Sequence, residues 1–404
     1  MNVGIFIKDL NPEAGGAYTF QKEILQALRE LSDQSEHRFV IFFSGKREHL
    51  PLELNGRNIS VVLLKYNWYH KILRGFGETN LGQDIQSLLR RSISSVSPRL
   101  IRKHNIEFFW FPTNYFLGVV DVPYITTVWD LQHRLQPWFP EVSSDGEWIF
   151  RERYHQSVLQ RATYIIAGTN AGKEEIVRFY GIPPERVKLL PHPTPSFYSI
   201  KERKEGSKVL AELGINSGYL FYPAQFWPHK NHYVLIKALE YLKKNFNIRV
   251  HAVLTGSDKG NEHYIAELSA KTGLQDQIHI AGFVSQQDLL SLYQNALALV
   301  YPTFFGPENL PPLEAFALGC PVIASRVSGT EEQLNDAALL FDPSDYVQLA
   351  KMIKLPIDKK EVSARLIKKG KARALKWTSK DFVSGVFSLL DDFEATRKSW
   401  PAPQ

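Results

Sequence analysis

Short runs rich in Val, Ile, Phe and Tyr recur along the chain, and helix-length stretches of mixed polarity separate them. In the first half these runs are 3–7, 39–43, 60–64, 107–111, 124–128, 164–167 and 187–190; in the second they are 219–223, 250–254, 278–281, 297–301, 322–324 and 339–341. Most are largely continuous in apolar character rather than alternating, and Gly, Pro or Asn bounds many of them. Continuous apolar strands of this kind belong in parallel sheets covered on both faces. Because the pattern occurs twice, it predicts an α/β protein of two doubly wound, Rossmann-like domains. A chain of 404 residues also exceeds one ordinary core.

The join is expected near Pro191-His192-Pro193-Thr194-Pro195, where three prolines sustain neither a helix nor a sheet ladder. The expected division is 1–193, 194–378 and a final segment 379–404. That last segment carries Phe382, Val383, Val386, Phe387, Leu390 and Phe393 at helical spacing, an apolar stripe that needs a surface to cover.

Composition narrows the class. Hydrophobic residues at 44% and charged residues at 22% are those of a globular enzyme, not of a disordered chain. The lone cysteine, Cys320, excludes an intramolecular disulfide and a multi-cysteine zinc site, and its apolar surroundings predict an inert core thiol. No apolar stretch is long enough to predict a transmembrane helix. The opening MNVGIFIKDL reads as a strand rather than a signal peptide, so a cytoplasmic protein is expected. The net charge of +6 is uneven: Lys71, Arg74, Arg90, Arg91, Arg99, Arg102 and Lys103 face only Glu78 and Asp84. Such a stretch is either a solvated helix face or a peripheral contact for an anionic membrane. No recognised motif accompanies it, so nucleic acid is not an expected partner.

In open parallel sheets ligands bind beyond the carboxyl ends of the strands. Four loops there carry unusual chemistry. Pro12-Glu13-Ala14-Gly15-Gly16-Ala17-Tyr18 offers backbone that approaches a ligand closely and free amides at a helix start, although a simple turn explains two glycines equally well. Trp129-Asp130-Leu131-Gln132-His133-Arg134 collects groups that pack poorly and bind ligands well, or that sit satisfied at the surface. Gln225-Phe226-Trp227-Pro228-His229-Lys230-Asn231 sets a cation near a helix N-terminus, the combination a diphosphate requires. Residues 305–322 read as a Gly-containing loop, a helix opened by prolines and a Gly-terminated return to a strand. There the amides of Asn309 and Leu310 are expected to face a phosphate. Glu314, in the first turn, is expected to accept hydrogen bonds from vicinal hydroxyls, as acidic residues do for a nucleotide ribose.

At these residues the chain resembles retaining glycosyltransferases of the GT-B fold, family 4 (the group 1 glycosyltransferases), in the variant seen in bacterial surface-polysaccharide pathways. Tyr222-Pro223-Ala224-Gln225 through Lys230-Asn231, Ile280-Ala281-Gly282-Phe283-Val284, and Asn309 through Val322 match in order and spacing. The resemblance implies that the second domain grips a nucleotide-sugar donor and the first presents a glycan or lipid-linked acceptor. It implies that Lys230 neutralises the leaving diphosphate, Glu314 binds the ribose, and the Gly282-Phe283 loop lies beside the base. Gly15 and Gly16 would approach the phosphates and acceptor, and the final helix would cross back onto the first domain.

Three departures stand out. The first glutamate of the family's pair falls at Gly306, with Glu308 two residues on. The arginine that usually precedes the lysine falls at Gln225, and the active-site histidine falls at Trp129, with Asp130 and His133 as the nearest polar substitutes. The implied reaction is hexosyl transfer, mannose-type, in lipopolysaccharide O-antigen synthesis, with retention, no metal and no cofactor beyond the donor. Lys230, Glu308, Asp130 and His133 are the candidate catalytic residues. A nucleotide-sugar epimerase and a non-catalytic partner subunit are the alternatives.

Overall fold

The computed structural model describes residues 1–11, 15–50, 54, 56–64, 96, 98–114, 120–196, 208–215 and 217–401. All thirteen apolar runs form strands: β1 (Asn2–Ile7), β2 (Arg38–Phe43), β3 (Ile59–Leu63), β4 (Phe108–Phe111), β5 (Tyr124–Thr127), β6 (Tyr164–Ala167), β7 (Val187–Leu189), β8 (Leu220–Pro223), β9 (Ala252–Thr255), β10 (Ile278–Ile280), β11 (Ala298–Tyr301), β12 (Val322–Ser325) and β13 (Ala338–Phe341). They make two sheets, ordered β3-β2-β1-β4-β5-β6-β7 and β10-β9-β8-β11-β12-β13. Neighbouring strands in both run parallel, as in the pairing of Ile5 with Ile41 on one side and Trp110 on the other. Each sheet therefore reverses its strand order beside its first strand, between β1 and β4 and between β8 and β11.

The inner strands of the first sheet, β1, β2, β4, β5 and β6, are buried along nearly their whole length because both faces are covered, while the edge strands β3 and β7 are partly exposed. Val3, Ile5 and Ile7 join a core with Phe20, Ile24, Phe39 and Ile41, while Phe6, Val40, Phe42, Phe109 and Phe111 fill the other face. This is the two-residue alternation of a strand, with both sides dry. Gly4 makes room for Phe109: a Cβ there would lie 2.7 Å from the ring.

The Ser379–Arg397 helix is capped by Thr378 and Asp381 in a reciprocal box, which satisfies its first amides. Its apolar stripe lies on the first half. Phe382 meets Phe20 edge-on, Phe387 stacks on Phe39 at 5.1 Å, and Phe393 packs on Phe108 at 5.1 Å. Trp377 just before it donates from Nε1 to the Pro191 carbonyl at 2.8 Å.

Of the basic stretch, Arg99, Arg102 and Lys103 lie on the Pro98–Lys103 helix, while Lys71, Arg74, Arg90 and Arg91 lie outside the described residues. Among the described residues no helix is long and apolar enough to cross a membrane. Cys320 is buried, and burial pushes its thiol up to about 12, which leaves it a core residue.

Candidate functional site

The two reversal points face one another across a cleft of about 400 Å³. Loops at the carboxyl ends of the strands supply its walls, where open sheets bind ligands. Gly15, Gly16, Trp129, Asp130 and His192 border it from the first half; Gln225, Lys230, Phe283, Glu308, Asn309, Leu310 and Glu314 border it from the second. Pro12, Glu13 and Ala14 lie outside the described residues. Gly15 has φ of 63°, the left-handed region that favours glycine, and directly precedes the Gly16–Leu31 helix. A Cβ on Gly16 would stand 3.4 Å from Leu310 Cδ1, so this turn comes directly against the second half's helix.

Lys230 ends a short turn after β8, and its position is set by aromatic and amide groups. Nζ donates to the Tyr301 hydroxyl at 3.0 Å and lies 5.4 Å from the centre of that ring. The Tyr301 hydroxyl donates in turn to Asn309 Oδ1 at 3.0 Å, and Asn309 Nδ2 donates to the Phe305 carbonyl at 3.1 Å. The cation is thus held in place by neutral groups. Gln225 beside it accepts from Trp227 Nε1 at 3.0 Å and donates to Ser257 Oγ at 3.2 Å.

The helix expected to cradle a phosphate spans Leu310–Leu318. Two expectations about it need correction. The Asn309 amide does not face the cleft free: it donates to Gln333 Oε1 at 3.0 Å, and Gln333 Nε2 returns a bond to the Asn309 carbonyl at 2.9 Å. Leu310, the first helical residue, keeps its place on the cleft wall. Glu314 lies in the second turn, because the helix begins at Leu310 before the two prolines. Its carboxylate is buried and accepts from the Tyr293 hydroxyl at 2.6 Å. Phe283 stands 62% exposed at the rim. Gly282, at φ 62°, sits behind the wall, where its carbonyl accepts from the Gly256 amide at 2.8 Å.

The Glu308 side chain is almost fully covered, and its carboxylate is turned toward the first half. Oε1 accepts the His192 amide at 2.8 Å, and the carboxylate fills the space that a side chain on Gly168 would take. Burial raises this carboxyl above its usual range, while the neighbouring His192 opposes the shift.

Other contacts bind the halves together along the same line. The His229 amide donates to Glu141 Oε1 at 2.8 Å, and its ring Nδ1 meets the same oxygen. That ring stacks on Phe305 at 4.0 Å. Burial and the Lys230 charge pull the His229 imidazole down to about 4, so it is neutral at pH 7. Gln132 Nε2 donates to the Gly306 carbonyl at 3.1 Å, and Gln136 Nε2 to the Phe304 carbonyl at 2.6 Å. Glu332 accepts the Asn170 and Ala171 amides at 2.7 and 2.9 Å, an anion at the start of the Asn170–Tyr180 helix.

Asp130 borders the cleft, with Oδ1 accepting the Gln132 amide at 3.0 Å and Arg151 Nη1 lying 3.7 Å away as an ion pair. His133 does not border it, which corrects its assignment as a catalytic candidate. The Gln132–Leu135 turn carries it inward, where it is fully buried. There Nε2 lies 3.2 Å from the Tyr180 hydroxyl and 3.3 Å from Glu152, and the ring stacks on His155. Burial lowers its pKa, and the residue serves the packing of this polar cluster.

His192, His229 and Glu141 are not among the residues the sequence pattern points to, although His192 stands in the proline-rich join and His229 beside Lys230. Glu141 carries no local signal.

The model of the glycosyl transferases group 1 matches residues 211–373, and that of glycosyltransferase family 4 matches residues 14–195. The O-antigen chain mannosyltransferase B of Escherichia coli is 28% identical over 207 residues, 51% of this chain and 54% of that protein. The O-antigen chain mannosyltransferase RfbU of Salmonella typhimurium is 25% identical over 213 residues, 53% of this chain and 56% of that protein. The match thus spans little more than half the length of either relative. The structure of Anabaena HepE in complex with UDP and glucose superposes with a TM-score of 0.68 at 16% identity, covering 97% of this chain and all of that one, a likeness of fold. With both halves matched by their own family models and two parallel sheets closing on one cleft, the chain belongs to the group 1 glycosyltransferases, family 4, and has the GT-B fold.

Proposed function

We propose that the protein transfers a hexose, mannose foremost, from a nucleotide-diphosphate sugar to a glycan or lipid-linked acceptor in O-antigen-type surface-polysaccharide synthesis. The observation that carries this reading is the cleft that brings Lys230 and Glu314 of one half opposite Gly15, Gly16 and Asp130 of the other. Two O-antigen mannosyltransferases among the relatives support mannose, and HepE, crystallised with UDP and glucose, supports a nucleotide-sugar donor.

In this reading Glu314 accepts the ribose hydroxyls and Lys230 meets the charge that grows on the leaving diphosphate. Tyr301 and Asn309 hold that cation before the reaction begins, which is the requirement for electrostatic stabilisation of a transition state. The protein's own groups carry this charge without a divalent metal. Retention follows from same-face displacement through an oxocarbenium-like state. Asp130, held by the Gln132 amide, positions sugar or acceptor rather than attacking. The reaction takes place at the cytoplasmic side of a membrane, with the stretch Lys71–Lys103 as a peripheral contact. Each basic residue there contributes about 1 kcal/mol on an anionic surface. Co-sedimentation with phosphatidylserine vesicles at low salt tests that contact, and its absence removes it.

The test of the donor reading is a thermal-shift panel of GDP, UDP, dTDP, ADP and CDP, with and without magnesium. Saturation to about 100 times Kd stabilises the fold by roughly 2.7 kcal/mol. A shift with one base, independent of magnesium and lost in Glu314→Ala, is expected. Lys230→Ala is expected to raise the barrier by about 2.7–4 kcal/mol, on the order of 100- to 1000-fold in turnover. Turnover within a few-fold of wild type removes Lys230 from the diphosphate. No shift with any nucleotide favours a non-catalytic partner instead.

A further inference from the structure

His192 is held more firmly than a loop residue needs to be. Prolines flank it and restrict the backbone on both sides. Its amide donates to Glu308 Oε1 at 2.8 Å, and the carbonyl of the preceding Pro191 accepts from Trp377 Nε1. The ring is wedged between Phe20 at 5.2 Å and Trp129 at 5.9 Å, edge-on to both. Backbone and ring are both fixed, yet the polar chemistry of the side chain is unused. Nδ1 is buried, lies 3.6 Å from Glu308 Oε2 and has no hydrogen-bond partner among the described residues.

The ring also borders the cleft. Since Nδ1 is sealed against Glu308, Nε2 is the nitrogen through which the ring meets a ligand. The Glu308 carboxylate lies near Nδ1 without bonding it, and what it fixes is the His192 backbone, through the hydrogen bond from the amide to Oε1. The surroundings select the kind of ligand. Glu308 repels a phosphate, and the rings of Phe20 and Trp129 offer apolar surface, whereas the cation of the cleft belongs to Lys230. A neutral polyol with hydroxyls at its rim and C–H groups on its faces fits this corner. A hydroxyl both donates and accepts, so it satisfies either tautomer of His192.

We infer that His192 is a direct contact to the sugar being transferred, hydrogen-bonding one of its hydroxyls through Nε2, with Glu308 acting behind it as the positioning residue. The inference rests on the donor reading above and gives Glu308 an indirect role: it holds the sugar through His192.

The test compares free nucleotide with nucleotide sugar. Binding of GDP and GDP-mannose, and of UDP and UDP-glucose as a second pair, is measured by calorimetry for wild type, His192→Phe and His192→Gln, with turnover and melting recorded for each. Phe keeps the wedge between the two rings and removes the nitrogens; the Gln amide reaches the place of Nε2. His192→Phe is expected to bind the free nucleotide within about twofold of wild type and to lose about tenfold of the nucleotide sugar's advantage over it. Turnover should fall at least as far, and His192→Gln should restore most of both. Wild-type preference and turnover in His192→Phe overturn the assignment. Equal loss of free nucleotide and nucleotide sugar in both variants also overturns it, by showing a structural wedge. If the wild type binds none of the four compounds, the donor reading itself fails, and this contact with it.

Discussion

Phe382 offers a direct measure of how far the C-terminal helix supports the cleft. Its side chain is fully buried and meets Phe20 edge-on, with ring centres 5.4 Å apart and planes at 89°. Phe20 itself lines the cleft and touches Trp129 at 5.7 Å and His192 at 5.2 Å, so one ring contact separates the helix from the cleft wall. Phe382→Ala removes a buried ring, which costs about 3–5 kcal/mol. The edge-to-face geometry accounts for about 0.5–1.5 kcal/mol of this. In a domain of this size each kcal/mol lowers Tm by about 2–4 °C, so a fall of roughly 6–20 °C is expected. Phe382→Leu keeps most of the volume and should lose only a minor share. Melting followed by circular dichroism gives the stability. Turnover, measured well below both melting points, gives the functional link, and it should drop in the Ala variant while nucleotide affinity holds. A Tm within about 2 °C of wild type would refute the docking of this helix, since a solvent-facing Phe costs almost nothing to truncate.

Two further outcomes follow from the same geometry. Gly168→Ala places a Cβ 1.3 Å from Glu308 Oε2 and must expel the carboxylate, which is the far end of a flexible side chain with open space beside it. The lost bond to the His192 amide is worth about 1.5–3 kcal/mol; turnover should fall to the level of Glu308→Ala, with the double variant no worse, and wild-type turnover would show that Glu308 does not act from this niche. Stability should also fall on acidification. Burial pulls the imidazoles of His229, His155 and His232 down from 6.5 to about 4, 3 and 3 respectively. The unfolded chain therefore binds more protons than the folded one below pH 6.5, and stability drops through that window at about 1.4 kcal/mol per unit of displacement. Urea midpoints that stay flat between about pH 7 and 4.5 would contradict the buried, neutral state of these rings.

The strands were legible in the sequence because a strand covered on both faces leaves a local mark, a short run dominated by apolar residues. Every such run became a strand, and the ends of those strands located Gly15, Gly16, Lys230 and Leu310 on the cleft. What failed was the direction of side chains within a loop. Asp130 and His133 lie three residues apart, yet the turn between them leaves one at the cleft and buries the other beside Glu152. Polar character alone does not distinguish a ligand contact from a buried cluster. The prolines at 311 and 312 marked the helix start, but the first turn begins one residue earlier, and this moves Glu314 into the second.

The cross-cleft contacts were hidden for a different reason. His192 meets Glu308 across 116 positions, His229 meets Glu141 across 88, and Gln132 meets Gly306 across 174. Periodicity reports on a residue's own element, never on the element it will face when two domains close. Yet these contacts decide what Glu308 is. Taken alone it resembles a displaced sugar-binding carboxylate; with His192 and Gly168 around it, it becomes a buried anchor that spans the halves. A ligand pulling on His192 therefore pulls on Glu308 and on its neighbour Asn309, whose side chain accepts from Tyr301, the partner of Lys230. With the roles proposed for His192 and Lys230, sugar contact and diphosphate stabilisation would be joined through Glu308 and Asn309, so a variant that frees Glu308 should weaken the grip of Lys230 without touching it.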